Sequence, residues 1–213
     1  MIGLIAGGII RQVDASGRWM AWNVALALAP WFLSLVLFRP YRRPGAAWLC
    51  GALTCLLLVP NAPYILTDVV HLPADVRREP SDAVVLLVVL PMYATVFAIG
   101  LAAYSDVLRR LTRYATGRGW ARSPWTVEVP VHLLSAVAIY IGRIHRLNSW
   151  DVARHPAAVL TQATAGFTRP LAVFGIGTMF IALTLGQTLS RPLLQAGETT
   201  ASKVATLLGR TRP

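Results

Sequence analysis

The chain has 213 residues, a hydrophobic share of 55% and a formal net charge of +11. Its mean hydropathy of +0.56 is too high for an ordinary soluble domain, and its length fits one domain. The basic residues flank apolar blocks instead of forming one stripe, which argues against a nucleic-acid partner and for a lipid bilayer.

Five apolar blocks follow one another along the chain, each about as long as the ~20 residues that a helix needs to cross a membrane. The blocks are residues 19–38, 46–66, 83–104, 126–142 and 170–190. Backbone groups in lipid must bond within their own segment, so each block is expected to be an α-helix. The sequence predicts an all-α polytopic membrane protein with about five transmembrane helices.

The first ten residues, MIGLIAGGII, are apolar but too few to span a membrane. No basic residue precedes them, so they do not read as a signal peptide either. We therefore predict an N-terminal tail or interfacial segment over residues 1–18, a single transmembrane domain over 19–190, and a polar C-terminal tail over 191–213.

The second block ends in the stretch PNAPYILTDVVHL, which begins at Pro60. Pro60 and Pro63 lack amide donors, and Asn61 is a favoured N-cap residue, so the helix is expected to break here. A half-helix would then run over residues 62–72 and stop at Pro73. Inward-pointing amides of such a half-helix can bind an anion or a substrate. The alternative is a kink that only lets the helices pack.

Asp68 and His71 lie three residues apart in this stretch, on one face of the predicted half-helix. Unpaired ionisable groups near lipid are costly, which favours a functional role for the two together. The same argument supports a functional role less strongly for Glu128 and His132 of the fourth helix. That i, i+4 pair could extend a proton path, but a satisfied buried pair is the more common finding.

The end of the fourth block carries a second polar stretch. Arg143 and Arg146 share a helix face there and suit recognition of phosphate or carboxylate, although arginines also snorkel to the interface at helix ends. Asn148, Trp150 and Asp151 follow, and the less apolar residues 148–168 predict an interfacial segment before the last helix.

Counting helices places these two stretches on the same membrane face, together with the start of helix one and its Asn23. Twelve Lys and Arg residues fall on the opposite side and eight on this one. The bias predicts a cytoplasmic C-terminus and an extracytoplasmic motif face in the cell (inner) membrane. The predicted ligand-binding residues are Asn23, Asn61, Tyr64, Asp68, His71, Arg143, Arg146, Asn148, Trp150 and Asp151.

Three motifs resemble a family of small bacterial integral membrane proteins known as domain of unknown function 1361. They are WN at residues 22–23, PNAPYILTD with HL at 60–72, and GR, R and NSWD within 142–151. The resemblance extends over about residues 19–190 and implies a multi-helix membrane protein without assigning an activity. It singles out as motif positions Asn61, Asp68, His71, Arg143, Asn148, Trp150 and Asp151.

These observations favour the binding or transport of an anionic group, a lipid headgroup or a small anion, in a polar pocket between helices one, two and four. One alternative is an intramembrane hydrolase or transferase acting on a lipid-linked phosphate, with His71 as base or nucleophile oriented by Asp68. Another is a structural or accessory subunit. No metal-ligand spacing appears, so no metal is predicted, and the sequence assigns neither a cofactor nor a protein partner.

Overall fold

The structure is a computed structural model that describes residues 2–145, 151–167 and 169–209. The chain is 88% helical and its described residues contain no strand, which confirms the all-α prediction. In chain order the helices are α1 (Ile2–Leu37), α2 (Ala46–Arg78), α3 (Asp82–Gly117), α4 (Trp125–His145), α5 (Asp151–Arg154), α6 (Pro156–Phe167) and α7 (Pro170–Gly209).

Five segments of these helices are long and apolar enough to cross a membrane, as predicted. They are Ile2–Leu37, Ala46–Arg78, Asp82–Gly117, Trp125–Ile144 and Pro170–Ser190. The short helices α5 and α6 lie between the fourth and fifth crossing segments, at the place where the sequence predicts an interfacial segment.

Helix α1 has 36 residues and is about 54 Å long at 1.5 Å per residue. A π-helical turn, Val13–Gly17, joins its two α-helical parts, so the predicted boundary at residue 18 falls inside a continuous helix. The first part packs on α3, where a Cβ added to Gly8 would lie 2.4 Å from Val84 Cγ1. The surface location of residues 1–18 stays a prediction.

Helix α2 is interrupted where the sequence predicts a break. Its first α-helical part ends at Leu58, and helical structure resumes at Asn61. The backbone keeps right-handed helical angles across the gap, and the amides of Ala62 and Tyr64 donate to the carbonyls of Val59 (3.1 Å) and Pro60 (3.0 Å). The break is therefore a bend with bonded amides, and the prediction of free amides that bind an anion is wrong.

Two finer predictions about α2 are also wrong. Pro60 holds the N-cap position, and Asn61 is the first residue of the resumed helix. The chain then winds as a 3₁₀-helix over Ile65–His71 and continues as an α-helix over Leu72–Arg78. Pro73 does not stop the helix because it lies in the first turn of that last segment, where an amide has no helical partner to lose.

The helices pack in two groups. Helices α1, α2 and α3 pack on one another, while α4 packs on α7 and also contacts α3 and the bend of α2. The loop after α1 meets the end of α3, where the Tyr114 hydroxyl donates to the Arg42 carbonyl (2.8 Å). We call this side, with the loops 38–45 and 118–124, the arginine-rich end, and the opposite side the motif end.

Gly100 of α3 lies directly against the bend in α2. A Cβ at this position would come within 2.4 Å of Ile65 Cγ2 and 2.6 Å of the Ala62 carbonyl oxygen. Backbone cannot move aside as a side chain can, so we expect Gly100→Ala to lower the free energy of unfolding by about 1–3 kcal/mol. Thermal or chemical unfolding in detergent measures this change.

The matched control is Gly177→Ala in α7, where nothing lies within 4 Å of the added Cβ. Alanine has the higher helix propensity, so this variant should be neutral or more stable by up to about 1 kcal/mol. Equal stability of the two variants would contradict the close approach of α3 to the bend.

Candidate functional site

The site is built around the carboxylate of Asp68, whose side chain lies between α1, α2 and α4. Asp68 is only 2% exposed. The Asn23 side-chain amide of α1 donates to Asp68 Oδ2 (2.7 Å), and Arg143 Nη2 of α4 lies 3.4 Å from Oδ1. Asn23 and Arg143, which the sequence predicts on one membrane face with Asp68, therefore both contact the Asp68 carboxylate directly.

The guanidinium of Arg143 is held by several groups at once. It donates to the hydroxyl of Tyr64 (3.3 Å) and to the carbonyl of Thr67, and it lies 5.4 Å from the centre of the Tyr64 ring. Its side chain is still 28% exposed. Arg143 is thus oriented by α2 while part of its surface remains open to a ligand.

The 3₁₀-helix of α2 explains how these groups are aligned. With three residues per turn, residues 65, 68 and 71 fall in one row along its surface. Ile65 and Asp68 are buried, and His71 is exposed at the motif end with its ring 5.0 Å from that of Trp19. Among the described residues no hydrogen bond joins His71 to Asp68, because Asn23 and Arg143 occupy the carboxylate.

A cavity of about 900 Å³ opens beside this cluster, between α1, α2 and α4. Toward the motif end its wall is polar and includes Asn23, Asn61, Tyr64, Asp68, His71 and Arg143. Deeper in the bundle its wall is apolar and includes Leu26, Leu56, Leu57, Leu134, Val137 and Ala138. Along α4 the lining from Leu134 to Arg143 extends over roughly 14 Å.

Six of the ten predicted ligand-binding residues line this cavity. Arg146, Asn148 and Trp150 lie outside the described residues. Asp151 begins α5 and is half-buried, but the described lining of the cavity near it comes from Val152 and Val159 instead. The sequence prediction did not include Trp19 and Trp22, whose rings also line the cavity.

A second buried carboxylate, Asp75, lies near the motif end outside the cavity lining. Its Oδ2 accepts hydrogen bonds from Gln12 (3.0 Å), Ser16 (2.7 Å) and the Tyr93 hydroxyl (2.7 Å). Arg78 Nη1 lies 3.3 Å from Oδ1. Sequence analysis missed this cluster, which joins α1, α2 and α3; the i, i+4 pair of Gln12 and Ser16 was the signal that could have indicated it.

No group of three or more His, Cys, Asp or Glu side chains in the described part of the chain is placed to hold a metal ion. The prediction that the protein binds no metal stays a prediction. The Asp68–Arg143 pair balances its own charge, so the chemistry that the site offers is polar and charge-assisted hydrogen bonding next to an apolar wall.

Comparison with known families matches residues 22–185, which contain every residue of the cavity except Trp19, to the family described as protein of unknown function (DUF1361). The chain belongs to this family. No curated protein and no solved structure matches it. The DUF1361 match confirms the family indicated by the WN, PNAPYILTD and NSWD motifs.

Proposed function

We propose that the cavity binds an amphiphilic lipid, with its anionic headgroup at Arg143 and an acyl chain along the apolar wall. The observation that carries this proposal is the division of one cavity into a polar end and an apolar end. Pockets for small anions do not need an apolar wall of this length, whereas a lipid needs both ends.

The headgroup would be recognised by Arg143. A guanidinium has five N–H donors, and the contacts with Tyr64, Thr67 and Asp68 use three of them. The remaining donors and the exposed part of the side chain suit a phosphate oxygen. Asn61 and His71, which also line the polar end, would complete the contacts with the headgroup.

The acyl chain would lie between α1, α2 and α4. The lining residues Leu57 and Leu134 are themselves 42% and 44% exposed, so the apolar wall continues onto the outer surface of the bundle. A lipid could therefore enter sideways from the membrane without crossing a polar barrier. This geometry favours a membrane lipid over a water-soluble anion.

The proposal also includes the orientation of the protein in the membrane. Twelve basic residues belong to the arginine-rich end and the C-terminal tail, and eight belong to the motif end. The excess supports a cytoplasmic arginine-rich end and C-terminus in the cell (inner) membrane. The cavity would then open in the outer leaflet of that membrane, on the extracytoplasmic side.

The hydrolase or transferase alternative has less support. It requires Asp68 to orient His71, but among the described residues the carboxylate is bonded to Asn23 and Arg143. The structural alternative, in which the polar cluster only holds the helices together, makes a different prediction for the experiment below, because it expects no specific lipid.

The test is native mass spectrometry of protein in mild detergent, titrated with phosphatidylglycerol or, for comparison, phosphatidylcholine. We expect selective binding of phosphatidylglycerol, and we expect Arg143→Gln to weaken it about 10- to 100-fold through the loss of a charge-assisted hydrogen bond. Arg77→Gln is the matched control, because Arg77 is exposed at the same end and lies outside the cavity lining.

A second pair of variants tests the apolar wall without touching the charges. Ala138→Phe fills the cavity from α4 and should weaken lipid binding, while Leu133→Phe on the exposed side of the same helix should not. If Ala138→Phe binds phosphatidylglycerol normally and Arg143→Gln does not, the headgroup binds without the apolar wall, and the proposed acyl-chain site is wrong. If wild type and all variants retain the same lipids without selectivity, the proposal is wrong and the structural alternative holds.

A further inference from the structure

Five polar side chains of α3, α4 and α7 are buried and lie outside the cavity lining. Their exposure lies between 0% and 4%, in a bundle whose outside is apolar. Buried polar groups in a membrane are costly and commonly serve ion or proton pathways. We call these residues the polar stripe: Tyr104, Glu128, His132, Ser135 and Gln187.

Helix geometry places three of these residues in one row, and a fourth contacts that row. Glu128, His132 and Ser135 are spaced i, i+4 and i+7, so they share one face of α4. From α3, the Tyr104 hydroxyl lies 2.7 Å from His132 Nδ1. From α7, the Phe180 ring lies 6.4 Å from the His132 ring, and Gln187 is buried two turns further along that helix.

Ser135 and Gln187 have hydrogen-bonding capacity that the protein does not use. Helical hydroxyls elsewhere, as in Thr54, Thr95 and Thr184, donate to the carbonyl four residues before them. In contrast, Gln187 Oε1 is buried and accepts no hydrogen bond among the described residues, and the buried Ser135 hydroxyl lies beside the Tyr104 hydroxyl without a well-aligned hydrogen bond. Such atoms are where buried water molecules bind, and water would connect the stripe.

The two ends of the stripe point to different sides of the membrane. Glu128 lies in the first turn of α4, beside the arginine-rich end. Pro130 follows it and lacks the amide that would bond the Thr126 carbonyl, which leaves a polar backbone group at this entrance. At the other end, Ser135 is one turn from Ile139, and Ile139 lines the cavity.

We propose that the polar stripe conducts protons between the arginine-rich end and the cavity. A proton from water is taken up by the Glu128 carboxylate and passed to the His132 imidazole. The imidazolium then gives up one proton through the hydroxyl groups of Tyr104 and Ser135 to water in the cavity. Each proton that enters is matched by one that leaves, so every group returns to its starting state.

The charged groups that could exchange a proton with His132 belong to α3 and α4. Helix α7 has no charged residue between positions 170 and 190. On α3 the nearest carboxylate in sequence to Tyr104 is Asp106, which is paired with Arg109 and Arg110. Glu128, four residues before His132 on the same face of α4, is the carboxylate that would exchange a proton with it. This inference depends on the stripe alone and does not need a lipid in the cavity.

The test is proton flux into vesicles that contain the protein and an internal pH-sensitive dye, driven by a potassium gradient with valinomycin. We expect wild-type vesicles to acidify faster than protein-free vesicles and His132→Gln to reduce the flux to the protein-free rate. Glutamine can still bond to Tyr104 but cannot carry a proton. His155→Gln, in the exposed connection between α5 and α6, is the matched control and should conduct normally.

The Ser135→Ala variant distinguishes a role of the polar stripe in proton conduction from a role in folding. It removes a hydroxyl that lies beside Tyr104 without a well-aligned hydrogen bond, so a structural stripe predicts little change in stability and none in flux. Proton conduction predicts unchanged stability with a flux slower by about tenfold, because one relay group is lost. The proposal is wrong if wild-type vesicles acidify no faster than protein-free ones, or if His132→Gln and Ser135→Ala both conduct like wild type.

Discussion

Replacing Asp68 with alanine is expected to lower the free energy of unfolding by about 3 kcal/mol. Removing one partner of a buried ion pair leaves the other charge uncompensated, which typically costs about 3–5 kcal/mol. The lower value applies here because the Arg143 side chain is 28% exposed and can reach water in part. Asn23 also loses the acceptor of its 2.7 Å hydrogen bond.

A double-mutant cycle tests this explanation. If the cost arises from an unpaired guanidinium, Asp68→Ala/Arg143→Met should be more stable than Asp68→Ala alone, since the charge is gone and the methionine packs on the cavity wall. Asp82→Ala, an exposed carboxylate at the start of α3, is the control and should change stability by less than about 0.5 kcal/mol.

Chemical unfolding in mixed micelles, with circular dichroism as the probe, gives the stabilities of wild type, Asp68→Ala, Arg143→Met and the double variant. Simple additivity of the two single substitutions would show that Asp68 and Arg143 do not act as a pair. A loss of less than about 1 kcal/mol in Asp68→Ala would contradict the buried position of the carboxylate.

The meeting of Asn23, Asp68 and Arg143 could be predicted from the sequence. Asn23 lies near the start of its apolar block, whereas Asp68 and Arg143 lie just after the ends of theirs. Because successive helices alternate in direction, the start of the first block and the ends of the second and fourth lie at the same end of the bundle. The argument needs only the number and order of the helices. It therefore works even though residues 2–18 are continuous with the rest of α1.

The nature of the bend in α2 could not be predicted in the same way. Pro60 and Pro63 mark where helical hydrogen bonds are lost, but they do not decide whether the neighbouring amides find other partners. In the structure the backbone stays right-handed, and the amides of Ala62 and Tyr64 bond within the chain. Because Gly100 has no Cβ, α3 can lie directly against the bend. No residue near the prolines in sequence indicates this contact between α2 and α3.

The cluster around Asp75 was missed for a related reason. Its partners are 63, 59 and 18 residues away in the chain, on α1 and α3. The charged residues near Asp75 in sequence read as an ordinary polar loop after a membrane helix. Only the packing of α1 on α3, seen at Gly8 and Val84, brings the three donors to one carboxylate oxygen.

Asp75→Ala is expected to have the largest effect of any single substitution considered, about 3–5 kcal/mol of stability. It removes the common acceptor of Gln12, Ser16 and Tyr93, and each buried donor left without a partner costs about 1–3 kcal/mol before relaxation. The sum is reduced because Ser16 can bond to its own helix backbone instead. The stability of Asp75→Asn should lie between those of wild type and Asp75→Ala, since the asparagine amide retains one acceptor oxygen.

The region of the protein that loses stability in Asp75→Ala distinguishes a local role of Asp75 from general destabilisation. Asp75 joins the first half of α1 to α2 and α3, so hydrogen exchange should rise first in residues 2–17 of Asp75→Ala. Trp19 follows that segment and its ring lies 5.0 Å from the His71 ring, so the fluorescence of Trp19 should change as well. Uniformly faster exchange in every helix, with residues 2–17 no different from the rest, would show that Asp75 does not hold α1 in place.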